Sequence, residues 1–159
     1  MKAVSIRPAL PGEAKPISDL IKSVARYFTL HPDGKGAEKF LLSIAPEAID
    51  GYITNPSFNY LVGLTGQDWA GVVAVRDGKH LFHLFVAPQF QRHGIARQLL
   101  QAARSVAIAS GNEEGFTVNS SSFAVAVYER LGFRATGPRV EKNGIAFVPM
   151  RLQFTNERG

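Results

Sequence analysis

Residues Val86-Ala87-Pro88-Gln89-Phe90-Gln91-Arg92-His93-Gly94-Ile95-Ala96 are the stretch of this chain best equipped for chemistry. An apolar run from Leu81 to Val86 stops at Pro88, which lacks the N–H that a central strand needs. A basic loop and Gly94 follow. From Ile95 the apolar residues recur at Leu99, Leu100, Ala103, Val106 and Ala107, the spacing of a helix with one buried face. Strand, loop and helix start in that order gather backbone N–H groups at a positive helix end, and such a pocket binds phosphate. Gly94 carries no Cβ to block a close approach, and Ala96 is small for the same reason. Arg92 and Arg97 add cations where an anion is already favoured. The plain alternative is a strand-turn-helix connection with glycine as a turn residue. A lone glycine motif is weak, whereas Gln-x-x-Gly-x-Ala joined to an upstream Val-x-Pro is more specific.

A second constellation lies downstream. Val118-Asn119-Ser120-Ser121-Ser122 ends a strand and starts a helix that Tyr128-Glu129-Arg130-Leu131-Gly132-Phe133 closes. Read alone, Asn119 and the serines are helix caps, and Tyr128 is an amphipathic side chain aligned with Ala124 and Leu131. The four histidines, His31, His80, His83 and His93, show no metal-ligand spacing such as His-x-x-x-His, and no metal is expected. Alternation places His80, Phe82 and Leu84 on one strand face and His83 on the other.

The elements that position these residues follow from pattern. Val4 to Pro8 is a first strand, Gly12 to Tyr27 a helix, Ala37 to Ser43 a short helix, and Pro46 to Thr54 a third with proline early in it. Strands are expected at Asn59–Thr65, Ala70–Arg76 and Lys79–Ala87, joined by turns at Gln67-Asp68 and Asp77-Gly78. Gly94 to Ser110 is the long helix, Gly115 to Asn119 a strand, and Ser121 to Leu131 a helix capped by Gly132. Phe133 to Gly137 and Ile145 to Leu152 are the last strands, with a turn at Asn143-Gly144. A meander followed by β-α-β elements argues for one layered α/β domain over residues 1 to 159.

Bulk composition agrees. The 159 residues suit one domain with a sizeable core, and 45% hydrophobic against 19% charged residues describes a globular chain. The chain has no Cys, which removes disulfides, thiolate metal sites and a cysteine acyl-enzyme, and fits a cytoplasmic protein. No apolar run approaches membrane-spanning length, and the N-terminus lacks a signal-peptide core, so no membrane partner is expected. Net charge is +5, yet Lys and Arg are scattered with no dense basic run. That charge supports an anionic ligand more than nucleic acid.

Leu84-Phe85-Val86-Ala87-Pro88 followed by Gln91-Arg92-His93-Gly94-Ile95-Ala96 resembles motif A of the GNAT superfamily of N-acetyltransferases, written Gln/Arg-x-x-Gly-x-Gly/Ala. The likeness runs from about His80 to Thr136, extends to Leu152, and is loose before His80. It implies a mixed central sheet of about six to seven strands flanked by helices, with a splayed-strand cleft for acetyl-CoA. By the resemblance, the loop and helix start from Gln91 through Arg92, His93, Gly94, Ile95, Ala96 and Arg97 hold the pyrophosphate. His93 contributes its amide rather than its imidazole. Leu84, Phe85 and Val86 act through main chain, and a backbone N–H there polarises the thioester carbonyl. The Asn and Tyr-x-x-x-Gly-Phe pattern implies that Asn119 binds CoA and that Tyr128 sits near its sulfur. A phenol of pKa near ~10 can protonate a departing thiolate of about 8.5 to 9.

Many members place a Glu or His early on the strand as general base, and His80 occupies such a position ahead of His83. Tyr27, Phe28, Phe40 and Phe58 are expected in the core, with the acceptor cleft as their other place. The implied activity is acetyl transfer to a primary amine of an acceptor, small molecule or peptide, by direct transfer in a ternary complex. Family members are often homodimers. Two other classes remain. One is a GNAT-fold sensor that binds CoA or another ligand without turnover. The other, ranked last, is a small basic nucleic-acid-binding protein with salt-sensitive affinity.

Overall fold

An antiparallel meander opens the sheet in this computed structural model, which describes residues 3–154. Its strands are β1 (Val4–Pro8), β2 (Phe58–Thr65), β3 (Asp68–Arg76) and β4 (His80–Val86). Between β1 and β2 lie α1 (Ala14–Val24), a 3₁₀ turn (Ala25–Tyr27), α2 (Glu38–Ser43) and α3 (Pro46–Thr54). A 3₁₀ turn (Pro88–Phe90) leads from β4 into α4 (Ile95–Ala109). Then follow β5 (Gly115–Ser120), α5 (Val125–Arg130), β6 (Arg134–Ala135), β7 (Val140–Lys142) and β8 (Ile145–Gln153). The sheet order is β1-β2-β3-β4-β5-β8-β6, with β7 on β8. Among the described residues no helix is long and apolar enough to cross a membrane.

Side-chain alternation explains the layers. On β3, Val72 and Ala74 face α1 and α3, packing with Ile17, Ile21, Ile49, Tyr60 and Val62. Val73 and Val75 face α4, packing with Leu99, Leu100, Ala103, Phe116 and Val118. β3 is thus buried on both faces, which accounts for its unbroken apolar run. Each fully buried Ile or Leu in these layers contributes about 1.5–3 kcal/mol.

The turns at Asp77-Gly78 and Asn143-Gly144 form as expected, with all four residues at positive φ. Four boundaries differ from expectation. The sheet follows the expected count with seven strands along its path and gains an eighth, because β7 pairs with β8 across Asn143-Gly144. That strand is exposed throughout, so no burial pattern marks it in the sequence. The expected strand Phe133–Gly137 shrinks to Arg134–Ala135. The expected helix Ser121–Leu131 begins only at Val125, because the Ser121 hydroxyl and carbonyl both accept the Ala124 N–H and close a local turn. α1 ends at Val24 and tightens into the 3₁₀ turn.

Two further contacts fix the approach to the sheet. The Leu30 N–H donates to the Gly144 carbonyl at 2.9 Å, and Thr29 bridges to Ile145, so the α1–α2 loop is tied to the β7–β8 hairpin. At the start of α1, Glu13 accepts both Arg7 guanidinium bonds (2.8 and 2.7 Å) and the Leu10 N–H (2.7 Å). The Arg7 bonds, ahead of the other influences, hold the Glu13 carboxyl below its ordinary range. Glu13→Gln is expected to lose up to about 1 kcal/mol in denaturant unfolding at pH 7, since the pair is partly solvated. A depressed carboxyl stabilises above its unfolded pKa and loses that contribution as pH falls through the folded value. The difference between the glutamine variant and wild type should therefore vanish in acid.

Candidate functional site at the parting of β4 and β5

β4 and β5 are parallel and pair only at His80↔Thr117 and Leu81↔Val118. Both strands continue past this point, β4 to Val86 and β5 to Ser120, so the sheet opens between them. Ala87 N–H donates to the Ala70 carbonyl at 2.9 Å, and the Phe85 carbonyl lies against Gly71 on β3. Because backbone groups alternate along an antiparallel strand, Leu84 and Val86 turn theirs the other way, into the opening. Phe85 keeps its backbone toward β3 and offers the opening none. The Gln91 side chain donates to the Val86 carbonyl at 3.0 Å and pins the loop to the strand end.

The loop then turns sharply. Arg92 and Gly94 adopt positive φ (66° and 75°), and α4 starts at Ile95 with no side-chain cap. The first helical bond is Gln98 N–H to the Gly94 carbonyl. No amide from Arg92 to Arg97 has a protein acceptor among the described residues. Consecutive free N–H groups in such a turn, at the head of a 15-residue helix, make an anion nest. A Cβ on Gly94 would meet no protein atom within 4 Å, so the space before it is open, and the positive φ is what requires glycine. The Arg97 guanidinium reaches away, donating to the Arg130 carbonyl at the end of α5 (3.2 Å), so Arg97 faces the nest with its amide. Arg92 and His93 are exposed on the loop.

The faces of β4 correct the simple alternation. A bulge opposite Ala74–Val75 puts Phe82 and His83 on the same side, toward α1 and α3, where their rings stack 4.4 Å apart. Leu81, Leu84 and Val86 all pack on the α4 side. Phe82 and Leu84 therefore do not share a face, and His83 does not oppose Phe82.

His80 opens β4 where the strands are still paired, and its Nδ1 lies 2.8 Å from the Thr117 hydroxyl. Burial, and then the nearby Arg76 charge, lower its pKa. Thr117 and Asn119 are exposed on the face opposite Phe116 and Val118, and Asn119 lies beyond the last β4–β5 pair. Tyr128 packs its ring edge-on against Phe133 at 5.1 Å and is 7% exposed. Burial raises its pKa and holds the phenol protonated. Its hydroxyl has no hydrogen bond among the described residues, yet no buried side-chain oxygen there lacks a partner, so the oxygen keeps solvent contact.

The aromatic residues expected in the core are only half in it. Phe28 packs edge-on against Phe85 and Phe40, and Phe58 lies edge-on to Phe82 and tilted against Tyr52, all part-buried. Tyr27 is at the surface against Phe123. Two residues with no sequence signal of a site, Tyr60 and Thr117, hold the two β4 histidines. Tyr60 precedes His83 by 23 positions, and only strand register joins them. A surface groove of about 410 Å³ lies elsewhere, between Pro56–Asn59, the Asp77-Gly78 turn and the C-terminal half of α4, and of these residues only Phe58 lines it.

Known proteins share this architecture. Residues 28–154 match the family model described as an acetyltransferase (GNAT) domain. The PaiA N-acetyltransferase of Thermoplasma acidophilum, solved in complex with coenzyme A, superposes with a TM-score of 0.77 at 14% identity, covering 96% of this chain and 99% of that one. A GCN5-related N-acetyltransferase from Rhodopseudomonas palustris gives 0.77 at 18% identity over 96% and 97%. A GNAT acetyltransferase from Streptococcus pneumoniae gives 0.70 at 20% identity over 96% and 100%. With the parted strands and the uncapped loop before α4, the family match over most of its length places this chain in the GNAT acetyltransferase family.

Proposed function

We propose that this protein moves the acetyl group of acetyl-CoA to a primary amine by direct transfer in a ternary complex. The observation that carries the reading is the run of unpartnered amides from Arg92 to Arg97 beside the opening between β4 and β5. A diphosphate on those amides would lay the pantetheine arm along Leu84 and the Val86 N–H, whose backbone groups facing the opening match its amides; the Val86 carbonyl is held by Gln91. Asn119, exposed across the opening, would hold the arm from the β5 side. The absence of Cys removes a cysteine acyl-enzyme and so favours direct transfer.

The chemistry divides among few groups. The amine nitrogen attacks the thioester carbon, the C–S bond breaks, and the thiolate takes a proton from the Tyr128 hydroxyl. For the proton that the nitrogen loses, our candidate acceptor is His80. Its lowered pKa keeps the imidazole neutral to more acid pH than a free histidine. The acid limb of kcat/KM is thus expected below pH 6.5, and His80→Gln should remove that limb. A limb unchanged in the variant would assign the base elsewhere.

The defining experiment is a calorimetric titration with acetyl-CoA, followed by mass-spectrometric screening of an amine library for acetylated products. Binding with product formation supports the reading. No heat and no thermal shift from a folded sample would end it. Tight binding with no product across amines and peptides would instead favour a CoA-binding sensor.

A further inference from the structure

His83 is the buried titratable group for which the reaction above has no use, and its surroundings are specific. Tyr60, Ala74 and His83 stand in register on β2, β3 and β4. The small Ala74 lets the Tyr60 ring reach over β3, and its Oη lies 2.8 Å from His83 Nδ1. The rings of Tyr52, Phe82 and Phe85 also pack on His83, none of them charged at neutral pH.

This bond fixes the tautomer. Tyr60 is 5% exposed, and burial holds its phenol protonated. Its proton has one acceptor among the described residues, Nδ1 of His83. Were Nδ1 to carry the hydrogen instead, the phenol proton would be left buried and unpaired. Nδ1 therefore accepts, and Nε2 carries the ring's hydrogen. Burial lowers the His83 pKa to about 3, so the ring stays neutral. Among the described residues Nε2 has no hydrogen-bond partner, and no fully buried side-chain nitrogen there lacks one, so this atom keeps a sliver of solvent contact on a ring that is otherwise buried. The two ring nitrogens point in roughly opposite directions. With Nδ1 aimed across β3 toward β2, Nε2 aims toward β5, where the strands have already parted.

We propose that His83 is a neutral hydrogen-bond donor to the acetyl carbonyl oxygen, locked in its Nε2–H form by Tyr60. The inference rests on the acetyltransferase reading, and deepens it. As the amine nitrogen bonds to the carbonyl carbon, the π pair moves onto oxygen, and Nε2–H stabilises the charge that develops there. On collapse that pair returns, the C–S bond breaks, the thiolate gains its proton from Tyr128, and the nitrogen loses one to the base. The deprotonated phenol recovers a proton from solvent. His83 keeps its hydrogen throughout, which separates this role from that of a general base. Tyr60 is a positioning residue.

Nitrogen-15 NMR of the full chain with labelled histidine tests the tautomer, the His83 signal being assigned by its loss in His83→Gln. A neutral Nε2–H pattern that does not titrate between pH 5 and 8 is expected. An Nδ1–H pattern, or titration in that range, would overturn the proposal. Infrared spectra of bound acetyl-CoA carrying carbon-13 at the carbonyl test the contact. The wild-type stretch should move to lower wavenumber than in water. That shift should shrink in Tyr60→Phe and shrink further in His83→Leu, to what a backbone N–H of β4 alone supplies, with acetyl-CoA still bound. Once an acceptor is known, His83→Leu should lower kcat by about 10²–10³-fold with the acetyl-CoA KM little changed. A stretch that stays equally shifted in His83→Leu would sink the donor role while leaving the acetyltransferase reading intact. If His83→Leu fails to fold, Tyr60→Phe and the wild-type NMR decide. Failure of the wild-type protein to bind acetyl-CoA would end both.

Discussion

Gly94→Glu is expected to raise the acetyl-CoA dissociation constant by at least about 100-fold. The protein leaves the space at the Gly94 Cβ empty, so the new side chain would not clash with the fold. It would instead bring a carboxylate into the nest proposed for the diphosphate. At about 5 Å and an effective dielectric of about 20, one such pair of like charges costs about 3 kcal/mol, which alone is a factor of more than 100. The backbone contributes separately, because φ is 75° and a non-glycine residue there loses about 1–2 kcal/mol of stability. Gly94→Ala isolates that strain from the charge. Calorimetry should find the alanine variant within about tenfold of wild type, since it carries the strain without the charge. Thermal unfolding should find both variants folded. An unchanged dissociation constant in the glutamate variant would remove this loop from the cofactor site.

Tyr128→Phe should lower kcat by about 10²-fold or more while leaving acetyl-CoA affinity within a factor of two or so. The reason lies in how little the hydroxyl does for the fold. It makes no hydrogen bond among the described residues, whereas the ring packs against Phe133 and belongs to the core on the α4 side. Phenylalanine keeps that packing, so the unfolding midpoint should barely move. Burial holds the phenol protonated, the state a proton donor needs, and the slight solvent contact of its oxygen leaves a route by which the proton is replaced. The loss should ease with an acyl donor whose thiol is more acidic, because a better leaving group needs less protonation. Full activity in the phenylalanine variant would take Tyr128 out of the mechanism.

Much of this architecture was legible because it is local. The step from Val86 through Pro88 to Gly94 marks a strand end, a loop and a helix start within eleven residues, and the observed elements begin and end within a residue or two of the expected ones. Asp77-Gly78 and Asn143-Gly144 carry the backbone preference of their turns in their own chemistry. β7 was illegible because its three residues are exposed and pair only through backbone. The late start of α5 depends on the Ser121 hydroxyl capturing an amide that a helix would also accommodate, a competition that composition does not decide. Phe85 and Arg97 show the same limit. Each lies in a motif that the sequence announces, yet β3 takes the backbone of one and α5 the guanidinium of the other.

The chain's own letters determined that a glycine turn precedes a long amphipathic helix and that a tyrosine lies near the end of a later short one, since those properties need only neighbouring residues. Which histidine faces what was decided by tertiary structure alone. A bulge shifts the start of β4 by one residue against β3, and that single slip carries Phe82 to the side of His83, where Tyr60 waits across Ala74. Alternation is a property of one strand, but register belongs to the sheet. Pairings between residues 23 and 37 positions apart, Tyr60 with His83 and His80 with Thr117, come into being only when the sheet assembles.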